Sequence, residues 1–140
     1  MILAVFDCNI LISAIGWGGN PRACLSLVSG RQVTLCVTGD IWDEYEKRVP
    51  EVLTEKKPKT DPCPVLNELV RIAFFVSPAT LGKQRSRDLK DDRYLACALA
   101  AGAKFIVSND RDLLDLEKPF GIRIVTPIQF LLHVRGQTEE

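Results

Sequence analysis

The sequence has one histidine, five cysteines with no CxxC pair among them, and no excess of either charge, its 18 basic residues matching 18 acidic ones. Each shortage removes a class of chemistry. The lone His133 excludes acid–base mechanisms that need two imidazoles, and its neighbours Leu131, Leu132 and Val134 suit a packing or surface role. Cys8, Cys24, Cys36, Cys63 and Cys97 form an odd set whose spacing fits neither a disulfide framework nor a zinc knuckle. They read as small buried apolar residues in a reducing compartment, the cytoplasm. Zero net charge supplies no global attraction for nucleic acid, so any such surface must come from local clustering. No GxGxxG, GxxxxGK[ST] or GxSxG occurs, which removes nucleotide cradles and the serine elbow; Gly16-Trp17-Gly18-Gly19 lacks a phosphate-loop lysine and reads as a flexible loop. The apolar N-terminus has no basic leader, and Asp7 interrupts it too early for a signal peptide or a membrane span.

What is present is a soluble-protein balance of 46% hydrophobic and 26% charged residues in 140, which suits a single domain over residues 1–136 with 137–140 as a frayed tail. Continuous apolar runs at Ile2 to Phe6, Val33 to Val37, Phe74 to Val76, Phe105 to Val107 and Ile122 to Val125 predict strands covered on both faces. Helical spacing falls between them. Asp91 to Ala101 places Leu95, Ala98 and Leu99 on one face and ends at Gly102. Residues 40–55 repeat Ile41, Tyr45, Val49 and Val52 or Leu53, with Pro50 expected to kink or end the helix. Pro21 is placed at the N1 position of a helix ending at Gly30, and a last helix begins near Pro127. Lys56 to Pro64 reads as a loop. Strands alternating with helices give an α/β fold with a central parallel sheet of about five strands.

Ligands of such sheets bind beyond the carboxyl ends of the strands. Asp7 and Asn9 follow the first run there, Ser108 and Asp110 the fourth, while Asp91 and Asp92 open a helix and Glu44 lies one turn into another. Carboxylates about 4 Å apart repel by roughly 4 kcal/mol at an effective dielectric near 20, so convergence calls for a proton, a basic group or a cation. An all-oxygen set suits Mg²⁺ or Mn²⁺ over Zn²⁺. Taken singly, Asp91 and Asp92 are better explained as helix caps, Asp110 at least equally well so, and Glu44 far better as a solvated helix charge. Asp7 abuts a wholly apolar strand, where an unpartnered charge is costly.

Val5-Phe6-Asp7-Cys8-Asn9-Ile10-Leu11 resembles the opening of PIN domains. Arg87-Asp88-Leu89-Lys90-Asp91-Asp92-Arg93-Tyr94-Leu95-Ala96-Cys97-Ala98-Leu99 is similar to that family's third-acid helix, and Phe105-Ile106-Val107-Ser108-Asn109-Asp110-Arg111-Asp112-Leu113-Leu114 to its fourth-acid turn. The resemblance implies a three-layer α/β/α fold, one or two Mg²⁺ or Mn²⁺ ions and hydrolysis of RNA. It places the acids at Asp7, Glu44, Asp91 and Asp110. Asp43 and Glu46 compete with Glu44, and Asp88 and Asp92 with Asp91. Asn9, Ser108, Asp92 and Asp112 fall in supporting positions. Among PIN domains the sequence looks most like VapC-like toxins of toxin–antitoxin pairs, which implies an antitoxin partner and a homodimer.

Lys83, Arg85, Arg87, Lys90 and Arg93 in the stretch KQRSRDLKDDR, with Arg22 and Arg111, are the cations available to guide an RNA backbone. Trp17 and Trp42 suit core packing or partner contact better than base stacking. Two other readings share these residues: a metal-dependent phosphatase on a related α/β scaffold, and a non-catalytic protein-binding module whose acids cap helices.

Overall fold

Every residue of Ile2–Phe6 is apolar, and such a strand is stable only where both of its faces are covered. In the computed structural model, which describes residues 1–86, 91–116 and 118–139, it forms β1, the middle strand of a five-stranded sheet. Strand β2 (Val33–Val37) pairs with β1 on one side, followed outward by β3 (Phe74–Phe75). Strands β4 (Phe105–Val107) and β5 (Arg123–Val125) follow on the other side. All pairings are parallel. Ala4, Val5 and Phe6 point alternately to opposite faces and all are fully buried, so helices cover the sheet on both sides and the layers are α/β/α.

The helices are α1 (Cys8–Gly16), α2 (Gly19–Ser29), α3 (Gly39–Lys56), α4 (Cys63–Ile72), α5 (Asp92–Ala101), α6 (Arg111–Leu114) and α7 (Pro127–Glu139). Gly102 ends α5 in the left-handed conformation, φ 72°, as its position after the last apolar residue predicts. Pro21 is the third residue of α2 where the sequence predicts the first; its missing N–H still falls among the amides that have no intrahelical partner. Pro50 does not end α3. Val49 and Leu53 are fully buried on either side of it, and that packing carries the helix on to Lys56. Gly16 is where α1 meets α3: a Cβ there would sit 2.7 Å from Leu53 Cδ2, so any larger residue would require the Leu53 side chain to shift. The backbone of α7 is helical to Glu139, through residues expected to fray; its buried residues include Pro127, Phe130, Leu131 and Val134, with Ile128 and Leu132 exposed.

Cys8, Cys24, Cys36 and Cys97 are buried and Cys63 is exposed, all unpaired. Burial pushes the Cys8, Cys24 and Cys97 thiols up to about 12 and Cys36 to about 11, so none is a nucleophile near neutral pH. Trp42 packs on Tyr45 and Phe75, whereas Trp17 is exposed with Lys57 over its ring. Among the described residues, no helix is long and apolar enough to cross a membrane.

Tyr45 anchors α3 to the central strand by donating its buried hydroxyl to the Phe6 carbonyl. Tyr45→Phe keeps the ring and removes the donor. It should lower unfolding free energy by about 1–3 kcal/mol, the cost of stripping a partner from a buried polar group. Denaturant melts check this, and an unchanged midpoint would show the bond to be idle.

Candidate metal centre

The carboxyl ends of β1 and β4 lie side by side, because the register pairs Phe6 with Val107 and the Asp7 amide donates to the Val107 carbonyl at 3.0 Å. The residues that follow them therefore meet. Asp7 is only 5% exposed and caps α1, its side chain accepting from the Asn9 amide at 3.2 Å. Ser108 donates its hydroxyl to Asp7 Oδ2 at 2.8 Å and accepts the Asp110 amide at 2.9 Å. One hydroxyl thus orients the first carboxylate and the turn that carries the next. Asp110 in turn caps α6, with Oδ1 accepting the Asp112 amide at 2.9 Å.

Asp91 enters from the start of α5. One carboxylate oxygen from each of Asp91, Asp110 and Asp112 lies within 4.8 Å of the others. Asp112, expected in a supporting position, belongs to this tight group. Asp7 and Glu44 stand outside this tight group, and Asp110 first and Glu44 second are close enough for their charge repulsion to be felt at Asp7. Glu44 is half-buried and its Oε1 accepts the Tyr94 hydroxyl. Its rivals lie elsewhere, Asp43 exposed and Glu46 holding the Trp42 indole N–H. Asp92 is also engaged away from the group, accepting the Arg85 and Ser86 amides at 2.8 and 2.6 Å. That bond pair ties the backbone of Arg85 and Ser86 to the start of α5. Asn9 is exposed and, among the described residues, bonds Asp7 through its backbone amide.

The cations are dispersed. Arg22 donates to the Ala14 and Ile15 carbonyls at the far end of α1, about 13 Å of helix from Asp7, and so is not beside the acids. Arg85 holds the Leu81 carbonyl and stacks on Phe120, and Lys83 and Arg111 are exposed. Arg93 is half-buried, its Nε without a hydrogen-bond partner. Arg87 and Lys90, like the rival acid Asp88, lie outside the described residues. His133 sits away from this centre, against Arg123 and the Phe105 ring.

Tyr94 is the member that sequence reasoning missed. Its partner is 50 positions away, and no spacing rule links a buried tyrosine to a particular glutamate. Asp112 carried a signal, since an Asp-x-Asp step into a helix turns both carboxylates to one end.

Burial holds Asp7 above its ordinary value of 3.8; bonds from Ser108 and Asn9 oppose this without cancelling it, and Asp110 and Glu44 add to it. A carboxyl with a raised folded pKa opposes folding once ionised. The penalty is absent below the unfolded value, grows as pH rises through the folded value, and is complete above it. In the absence of divalent metal, Asp7→Asn should therefore melt above wild type at pH 7, with the gap closing as pH falls toward 3.8. A constant deficit across that range would contradict this.

Residues 4–112 match the family model described as PIN domain. A protein of Pyrobaculum aerophilum, PAE2754, has a similar crystal structure, with TM-score 0.58 and 15% identity over 96% of this chain and 90% of the other, a likeness of fold alone. A comparison with curated proteins finds no match. PIN domains are in general nucleases that use divalent metal ions, and the acidic centre stands where the fold predicts a ligand site. With a parallel five-stranded sheet, a buried aspartate at the exit of its middle strand and acids gathered from α5 and α6, this chain belongs to the PIN domain family.

Proposed function

We propose that the chain is an endoribonuclease that hydrolyses RNA phosphodiesters with Mg²⁺ or Mn²⁺ held by its acidic centre. The observation carrying this reading is the approach of Asp91, Asp110 and Asp112 oxygens to within 4.8 Å beside the buried Asp7. The donors are all oxygen, which fits a hard cation. Asp91, Asp110 and Asp112 would hold it, with Asp7 and Glu44 at its margin. A divalent ion there supplies a lower pKa for a bound water and neutralises charge growing on the phosphate.

The chain's own part is positional. Ser108 and the Asn9 amide fix the Asp7 carboxylate, the Asp112 amide fixes Asp110, and α5 delivers Asp91 to the same end of the sheet. Lys83, Arg93 and Arg111 have no side-chain hydrogen bond or ion pair among the described residues and are the guides best available to an RNA backbone. Arg85 is partly engaged, and Arg87 and Lys90 join this group on sequence position alone. Resemblance to VapC-like toxins supports a toxin role with an antitoxin partner and a homodimer, and the unpaired cysteines support a reducing, cytoplasmic setting.

Labelled single-stranded RNA incubated with purified protein tests the reading. Cleavage should require Mn²⁺ or Mg²⁺, stop with chelator, and fall by about 100-fold or more in Asp91→Asn and Asp110→Asn, since a metal's transition-state stabilisation amounts to several kcal/mol. Cleavage without metal, or full activity in both variants, refutes it. Turnover of small phosphate esters with intact RNA favours a phosphatase.

A further inference from the structure

Among the described residues, the Glu44 side chain makes no hydrogen bond to its own helix. It lies in the first half of α3, half-exposed, and a glutamate there has several rotamers open to it. One contact removes that freedom. Tyr94, on the first turn of α5 and 2% exposed, donates its hydroxyl to Glu44 Oε1 and accepts the Cys8 amide at 3.2 Å. The Cys8 amide is one of the first-turn donors of α1 that no helical carbonyl can satisfy. A single phenol therefore ties the start of α1, the face of α3 and the start of α5 together around the acids. Oε2 accepts no hydrogen bond among the described residues and is the oxygen left for a cation.

We propose that Tyr94 is a positioning residue: its hydroxyl, bridging the Cys8 amide and Glu44 Oε1, fixes the Glu44 carboxylate for a divalent cation. The proposal rests on the metal-site reading above. Packing alone does not account for the hydroxyl. A phenylalanine ring would fill the same space, and a half-exposed carboxylate can be satisfied by water. Tyr45 provides the internal contrast. It is the residue after Glu44, equally buried, and its hydroxyl bonds the Phe6 backbone carbonyl, an acceptor with no part in the acidic centre. Hydrogen bonds to a charged acceptor are stronger than those to neutral ones, and a partner behind a metal ligand sets that ligand's orientation.

Calorimetric titration with Mn²⁺ tests this without reference to turnover. Tyr94→Phe should weaken Mn²⁺ binding by about 10- to 100-fold, the usual loss when a ligand's outer partner is removed. Tyr45→Phe should melt earlier yet bind Mn²⁺ as wild type does. In a Glu44→Gln background, Tyr94→Phe should add no further loss, because both changes remove one interaction. The chain has 2 tyrosines, so Mn²⁺ should also produce a tyrosine ultraviolet difference band in wild type and in Tyr45→Phe that Glu44→Gln lacks. That readout needs no substitution at Tyr94. Unchanged affinity in Tyr94→Phe, equal losses in both tyrosine variants, additive loss with Glu44→Gln, or no difference band would each overturn the proposal. Wild type that takes up no Mn²⁺ removes the metal reading as well, whereas uptake by wild type and Tyr94→Phe alike removes only the tyrosine's role.

Discussion

The rest of the molecule is arranged around one electrostatic conflict. The central strand delivers Asp7 into a water-poor position within reach of the Asp110 and Glu44 charges, and Asp110 is itself gathered with Asp91 and Asp112. Burial raises the cost of Asp7's charge, and like charges raise it further. At Asp7 an uncharged residue would relieve the conflict, and the charged one is kept. Hydrogen bonds to these side chains hold the conflict in place. Ser108 and the Asn9 amide grip Asp7, and the Asp110 carboxylate is fixed by the cap it makes on α6.

That arrangement explains which parts of the site were legible in the sequence. Asp7 could be read because a charge next to five apolar strand residues has no ordinary surface explanation. Asp110 and Asp112 follow a strand directly, so their place at the sheet edge follows from topology. Choosing among Asp91, Asp92 and their neighbours needed coordinates. Adjacent helix residues point in different directions, and the loop bonds that claim Asp92 depend on where residues 85 and 86 run. Glu44 presents the same difficulty. Asp43, Glu44 and Glu46 differ only in which face of α3 they occupy, and the side chain of Tyr94 identifies the face turned toward the acids.

The three inner strands were legible to the residue because a parallel strand between two neighbours is apolar on both faces. The edge strands correct that reading: Phe74 and Phe75 of β3 are exposed, and β5 opens on the exposed Arg123, so neither is covered on both faces. Two helices escaped. Helix α1 buries Cys8, Ile10, Leu11, Ile12, Ala14 and Ile15, nearly its whole circumference, so it has no polar stripe from which to read a period. Helix α4 has such a stripe, with Leu66 and Leu69 inward, but Pro62 and Pro64 give its start the look of a loop; prolines in a first turn are compatible with a helix. Pro50 taught the converse lesson, since a proline within a pattern yields to buried neighbours on both sides. The basic residues resisted reading most. Arg22 and Arg85 bind backbone carbonyls, a use that composition cannot distinguish from waiting for phosphate.

The central claim is that a divalent ion is the natural companion of these gathered acids. Crystals grown with Mn²⁺ and measured at the manganese absorption edge test it most directly. The account predicts an anomalous peak bounded by the carboxylates of Asp91, Asp110 and Asp112, on the side facing Asp7 and Glu44. A featureless map at that position from Mn²⁺-saturated crystals, or manganese bound only at sites remote from Asp7, would contradict it.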